Sequence, residues 1–437
     1  MDDMDYPQTI DFLFNRLPMF SRIGAAAFKN NLDNELALCD FLGNPHRKFR
    51  TVHVGGTNGK GSVSHMLASV FQTAGYKTGL YTSPHLRDFR ERIKINDKPV
   101  RKEFVVDFTE RVGNLISEIE PSFFELTVAM AFEYFAQEHV DIAIVEVGLG
   151  GRLDSTNIIT PDLSVITNIS YDHMNMLGDT LEKIAFEKAG IIKPFIPVVV
   201  GEHQPAISAV FEKMAEDQSA DLSFADQQRF IAEWKFENHK LVAEVTSPHS
   251  NDKQYYYLDL TGIYQTRNLL TVLESVHILR AKGWNLPEEK VKKALSRVKK
   301  LTGLYGRWEL IHQQPMIVLD VGHNEEGIRQ ITRQIEITDH EELHVVIGLV
   351  KDKEIEKILA LLPRHANFYF TKAQIPRALP EEQLAEKAHT LGLKGDPYPD
   401  VNTALQTALN NCSKKDLIVV CGSVFVVGEV MLQQRIN

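Results

Sequence analysis

Apolar positions along the chain alternate between two periods. Val63, Met66, Leu67, Val70 and Phe71 recur at i, i+3, i+4, i+7 and i+8, which is one face of an amphipathic helix. A β-prone run at 50–54 precedes it. Nearly continuous apolar runs at 141–147 and 162–169 predict strands buried on both faces. Shorter strands are predicted at 77–81 and 197–201, and helices at 6–14, 104–118, 123–137 and 181–189. Such alternation implies a mainly parallel, doubly wound sheet. Residues 222–262 change character, with antiparallel strands expected at 240–245 and 255–260 around a polar loop. Helices follow at 265–280 and 288–300, the second a lysine-rich solvated face. From Arg307 a second α/β pattern begins, with strands expected at 316–321, 343–350, 368–371 and 416–421. The expected organisation is a doubly wound domain with a small antiparallel addition (1–299), a linker (300–306) and a Rossmann-like α/β domain (307–437).

Composition narrows the class. A chain of 437 residues, 43% hydrophobic, supports two or three packed cores. No apolar run approaches a membrane span. Residues 1–6 carry three aspartates and no basic segment, which argues against a secretory signal. The scattered Cys39, Cys412 and Cys421 suit neither a disulfide framework nor a thiolate metal site. A cytoplasmic protein is expected. The formal net charge of −10 disfavours nucleic acid as partner.

Candidate chemistry lies at the strand ends. Between the strand at 50–54 and its helix runs Gly55-Gly56-Thr57-Asn58-Gly59-Lys60-Gly61-Ser62. Glycines let backbone N–H groups converge on an anion, the helix N-terminus adds partial positive charge, and Lys60 adds a full one. Ser62 is placed to offer its hydroxyl to Mg²⁺. The run departs from G-x-x-x-x-G-K-[ST]: Gly61 separates lysine from serine, and the first glycine stands one residue closer. A plain connecting turn is the alternative. Glu146 closes an apolar strand just before a glycine-rich loop, Gly148 to Asp154. A carboxylate there needs a metal or an ion-pair partner. Ser83 precedes Pro84 beyond another strand, and His173 follows a third.

The motifs Gly56-Thr57-Asn58-Gly59-Lys60-Gly61-Ser62, Thr82-Ser83-Pro84-His85-Leu86, Glu146 to Asp154, Glu187-Lys188-Ala189-Gly190-Ile191 and Leu319 to Asn324 occur in this order. The chain thereby resembles, over essentially its whole length, the folylpolyglutamate synthase/dihydrofolate synthase family of the wider Mur-ligase group. The phosphate loop alone indicates only a Mur-type ligase; inserted Gly61, the Ser-Pro-His-Leu loop and the Gly-Leu-Gly-Gly-Arg run narrow it to the folate branch.

The resemblance implies ATP-dependent amide formation. A folate or pteroate carboxylate takes the γ-phosphoryl group, and the amine of L-glutamate then displaces phosphate. It implies ATP contacts from Gly56 to Ser62, Asn268, Arg307, Asp320 and His323, with Asp320 gripping ribose or orienting a neighbour. A turn cap is the other reading of Asp320. It implies two Mg²⁺ ions held by Ser62, Ser83, Glu146 and His173, with K⁺ as a further candidate cation. Lys188 would be carbamylated and act as a ligand, whereas the residues alone make it a surface lysine. Lys60, His173 and Lys188 are thus the expected catalytic set. Phe124, Glu125, Thr127, Arg152 and Asp154 are candidates for the folate pocket, and Lys372 and Ser423 for glutamate. A monomer is implied. A cell-wall Mur-type ligase and a non-catalytic nucleotide-gated protein stay as alternatives.

Overall fold

The computed structural model describes residues 4–24, 29, 31–248, 250–351 and 353–431. The chain divides into two units, Met1–Asp259 with Tyr264–Leu304, and Leu260–Ile263 with Tyr305–Asn437.

The first unit is organised on an eight-stranded sheet: β1 (Arg50–Gly55), β2 (Thr78–Tyr81), β3 (Ile93–Ile95), β4 (Lys98–Pro99), β5 (Ile142–Glu146), β6 (Leu163–Ile166), β7 (Val198–Val200) and β8 (Leu222–Phe224). Their order is β4-β3-β2-β5-β1-β6-β7-β8. The six strands from β2 to β8 in that order pair in parallel, and only β3 and β4 run antiparallel at one edge. β1, β5 and β6 are buried along almost every residue, as their unbroken apolar runs require. Helix α1 (Lys60–Ala74) follows β1, α2 (Phe123–Gln137) precedes β5, and α3 (Leu181–Ala189) precedes β7. α2 is apolar nearly all round and lies inside the core. Its Phe132 and Phe135 are fully buried against residues that include Phe104, Phe108 and Val145, each contributing about 1.5–3 kcal/mol.

The small addition is a three-stranded antiparallel sheet, β9 (Phe230–Glu237), β10 (Lys240–Ser247) and β11 (Ser250–Leu258). The unit closes with α4 (Gln265–Ala281) and two short helices, Glu288–Leu295 and Val298–Thr302. Residues 300–302 are helix, and the division between Leu304 and Tyr305 falls within the expected linker, 300–306.

The second unit carries β12 (Glu309–Gln313), β13 (Met316–Leu319), β14 (Leu343–Ile347), β15 (Asn367–Phe370), β16 (Lys394–Pro397) and β17 (Leu417–Cys421), in the order β12-β13-β17-β14-β15-β16. All pairings except β12–β13 are parallel. Helix α5 (Glu325–Glu336) presents Ile328, Ile331 and Ile335 to a core with Val345, Phe368 and Phe370. Among the described residues no helix is long and apolar enough to cross a membrane. Cys39, Cys412 and Cys421 are free thiols.

Candidate active site

The site begins where β1 stops. β1 lies between β5 and β6, yet the chain leaves it for β2 on the far side of β5. That reversal opens a crevice at the carboxyl ends of the strands. The loop from Gly56 to Gly59 occupies it. Gly56 has φ +129° and Gly59 φ +86°. A Cβ at Gly56 would stand 2.0 Å from Thr167 Oγ1, and one at Gly59 2.4 Å from Asn268 Oδ1. Both positions require glycine.

The loop amides divide into two groups. Thr57 N–H donates to Asn168 O (2.9 Å) and Asn58 N–H to Asn168 Oδ1 (3.1 Å), which ties the loop to the segment after β6. Thr57 and Asn58 are therefore loop anchors through these amides. The helical ladder starts with Val63 donating to Gly59 O (2.9 Å), so the amides of 60–62 precede it and form the positive end of α1.

Two ammonium groups share one carbonyl. Lys60 Nζ donates to Gly56 O and Thr57 O, both at 3.1 Å, and Lys188 Nζ donates to Gly56 O at 2.8 Å. Lys188 is 4% exposed near the end of α3, so the structure corrects its reading as a surface lysine. Burial, reinforced by Lys60, pulls its pKa down to about 7, with Asp172 and Asp154 opposing.

Glu146 is buried at the end of β5, beside Val54 of β1, and its Oε2 accepts from Ser83 N–H (3.1 Å). His173 has φ +50°, its Nε2 is 3.8 Å from Asp172 Oδ1, and its ring meets Phe20 edge-on at 5.6 Å. Ser62 is buried, and its Oγ accepts from Gln265 Nε2 (3.2 Å). The donor chemistry fits Mg²⁺. A buried hydroxyl and a strand-end carboxylate are hard oxygen ligands, and such an ion keeps several waters. Among the described residues no three His, Cys, Asp or Glu side chains gather at ligand spacing, consistent with a set in which only Glu146 and His173 are of those types.

The folate candidates separate. The outer edge of the Phe124 ring abuts the glycine-rich loop: a Cβ on Gly148 would fall 2.4 Å from its Cζ. Glu125 and Thr127 hold partners within their own helix. Glu125 Oε2 accepts from Ser122 N–H (2.6 Å) in a capping box, and Thr127 Oγ1 donates to Phe123 O (2.6 Å), so both groups serve α2 itself. Arg152 pairs with Glu187 at 2.9 Å. Asp154 is buried and accepts from Leu149 N–H (2.8 Å) and Thr156 N–H (3.0 Å), which fixes the loop's shape.

In the second unit Arg307 Nη1 donates to Gly306 O at 3.3 Å. Asp320 is buried and accepts from Trp308 N–H and Gly322 N–H, both at 2.8 Å, as a turn cap does. His323 Nδ1 lies 3.0 Å from Val321 O. Lys372 pairs with buried Glu381 at 2.7 Å. Ser423 Oγ accepts from Val426 N–H (3.1 Å), capping the helix Val424–Glu429. Both glutamate candidates thus hold internal partners. Sequence reasoning missed Gln265, which joins Ser62 to Asn268 (2.8 Å), because its partner lies far away in the chain. It also missed Glu125's cap, although Ser122-x-x-Glu125 is a legible signal.

Comparison with known proteins decides the family. The Mur ligase middle domain matches residues 54–276, and the Mur ligase glutamate ligase domain matches residues 306–424. The dihydrofolate synthase/folylpolyglutamate synthase of Bacillus subtilis (strain 168) is 33% identical over 405 residues, covering 89% of this chain and 91% of its own. The chain belongs to the folylpolyglutamate synthase/dihydrofolate synthase family. Its members are ATP-dependent ligases. Mycobacterium tuberculosis folylpolyglutamate synthase complexed with ADP and AMPPCP superposes with TM-score 0.85 at 30% identity, over 97% of this chain and 98% of that one. E. coli FolC in complex with DHPP and ADP gives 0.84 at 28% identity, over 98% and 97%. The two-unit α/β architecture is that of these ligases.

Proposed function

We propose that this ligase joins the amine of L-glutamate to the carboxylate of a pteroate or folate, at the expense of ATP. The observation that carries the residue roles is the pairing of Lys60 and buried Lys188 on the Gly56 carbonyl, at the positive end of α1. A carboxylate oxygen of the acceptor attacks the γ-phosphorus, and the bond to the β–γ bridging oxygen breaks to release ADP. The glutamate amine then attacks the acyl carbon, phosphate leaves and the amine gives up a proton. Phosphoryl transfer needs positioning and charge neutralisation above all. Lys60 and the amides of 60–62 supply these on the β- and γ-phosphates.

Mg²⁺, when bound, neutralises phosphate charge; Ser62, Ser83, Glu146 and His173 would hold it in two sites. Lys188 is held near neutrality by burial, and the neutral amine is the form that combines with CO₂. Its carbamate would supply the negative charge that two neighbouring cations require. Phe124, Glu125, Thr127, Arg152 and Asp154 are the proposed folate-side residues; Phe124 and Asp154 wall or shape the glycine loop beside Glu146. The resemblance supports Asn268, Arg307, Asp320 and His323 as nucleotide contacts. ATP, glutamate and free thiols suit action in the cytoplasm, and the family resemblance supports a monomer.

The test is ADP release with Mg·ATP and L-glutamate, offering dihydropteroate and tetrahydrofolate in parallel. Turnover with dihydropteroate alone defines a dihydrofolate synthase, with tetrahydrofolate alone a tail-extending synthase, with both a bifunctional enzyme. Silence with both, from folded nucleotide-binding protein, overturns the proposal.

A further inference from the structure

We propose that Gln265 is the positioning residue that sets the Ser62 hydroxyl for the cation accompanying the nucleotide, an inference that rests on the reading of Ser62 as a Mg²⁺ ligand. Gln265 is the first residue of α4 and is fully buried. Its amide has both ends engaged. Nε2 donates to Ser62 Oγ (3.2 Å), and Oε1 accepts from Asn268 Nδ2 (2.8 Å). Asn268 in turn rests its Oδ1 against Gly59, where no side chain fits. The two hydrogen bonds give the chain one direction, from Asn268 through Gln265 to Ser62. Turning the Gln265 amide over would set its NH₂ against the NH₂ of Asn268.

That polarity matters for the hydroxyl. A serine oxygen has one hydrogen and two lone pairs. With one lone pair taken by Gln265, the other stays available to a cation, and the proton must point away from the donating amide. Without Gln265 the hydroxyl would rotate freely in the first turn of α1 and could bond backwards to the helix. Gln265 therefore supplies no ligand atom. It removes a competing orientation, and at the same time holds Asn268 over the turn that starts the helix.

The substitutions separate these two tasks. Gln265→Met keeps the shape and removes both bonds. Gln265→Glu keeps an acceptor for Asn268 and loses the donor to Ser62. The readout is calorimetric binding of AMPPCP in EDTA and across a Mg²⁺ titration. Losing one net hydrogen bond corresponds to about fivefold. Gln265→Met should raise the Mg²⁺ concentration for half-maximal enhancement by about that factor, over and above any loss in EDTA from releasing Asn268. In a Ser62→Ala background the same substitution should change the Mg²⁺ dependence no further, as expected for residues acting as one unit.

If Gln265→Met does not fold, Gln265→Glu is carried through the same cycle and must also shift the Mg²⁺ dependence. An unchanged Mg²⁺ midpoint in the Gln265 variant, while Ser62→Ala shifts it, overturns the inference. So does an equal loss of affinity with and without Mg²⁺, which would mark a purely structural tie. A Ser62→Ala protein with unaltered Mg²⁺ dependence would instead sink the reading of Ser62 on which this rests.

Discussion

Replacing Lys188 by methionine should make the protein more stable and inactive. Lys188 Nζ is buried, and its pKa falls from 10.5 to about 7. At pH 7 that shift corresponds to about 4 kcal/mol of destabilisation relative to an exposed lysine. The bond to Gly56 O at 2.8 Å returns roughly 1.5–3 kcal/mol, the range for a hydrogen bond to a charged group. Methionine has similar length and no charge to desolvate, and Gly56 O keeps Lys60 as a donor. The metal-free Lys188→Met protein in bicarbonate-free buffer should therefore gain about 1–2.5 kcal/mol in urea unfolding at pH 7.

The sign extends with pH. The folded-state pKa lies below the unfolded one, so the unfolded chain holds more protons between pH 7 and 10.5. The parent's stability rises over that interval, and the advantage of Lys188→Met shrinks. Glutamate-dependent ADP release should vanish while AMPPCP still binds. A variant that is less stable than the parent and still turns over would refute the reasoning.

Gly59→Ala forces a side chain into φ +86° and 2.4 Å from Asn268 Oδ1; it should cost about 1–2 kcal/mol in strain and weaken ADP binding tenfold or more by calorimetry. Gly75→Ala, at φ +104° with nothing within 4 Å of its Cβ, is the control that should share the strain and spare the binding. Asp320→Asn leaves one carbonyl oxygen where two carboxylate oxygens accept N–H groups, so denaturant unfolding should show a loss of about 1–3 kcal/mol; unchanged stability with weakened ADP binding would favour the ribose role instead. His53 is buried with its Nε2 2.8 Å from Thr156 Oγ1, and burial holds its pKa at about 3 against an ordinary 6.5. The unfolded chain takes up that proton first as pH falls, so the stability is full above pH 6.5 and lost toward pH 3. At pH 5 the loss is about 2 kcal/mol, and His53→Leu should flatten this part of the acid limb in urea titrations.

Much of the framework was legible because the signals were local. β1, its glycine loop and α1 follow from apolar period and glycine spacing, and α2 and α3 occupy the spans their patterns predict. The 104–118 helix is instead two, Lys102–Arg111 and Gly113–Ile119, meeting at Val112. β9 went unread because its strand is exposed along nearly its whole length. β16, Lys-Gly-Asp-Pro, carries no apolar signal and exists through its pairing with β15. At the site, residue types pointed to phosphate and metal chemistry, but burial inverted one reading, and a local cap went unread. Lys188 on a charged helix looked exposed until the Gly56 loop covered it. Glu125, read only as a pocket candidate, also caps its own helix. Gln265 depends on a partner 203 residues away, and no local pattern announces such a contact.

The central claim is that the acceptor carboxylate, not water, takes the γ-phosphoryl group. It is tested most directly by supplying acceptor with an ¹⁸O-labelled carboxylate, together with Mg·ATP and L-glutamate, and weighing the released phosphate by mass spectrometry. One ¹⁸O in each phosphate, matched by one glutamate added to the acceptor, is the predicted result. Unlabelled phosphate, or phosphate released at the same rate without acceptor, would contradict the account.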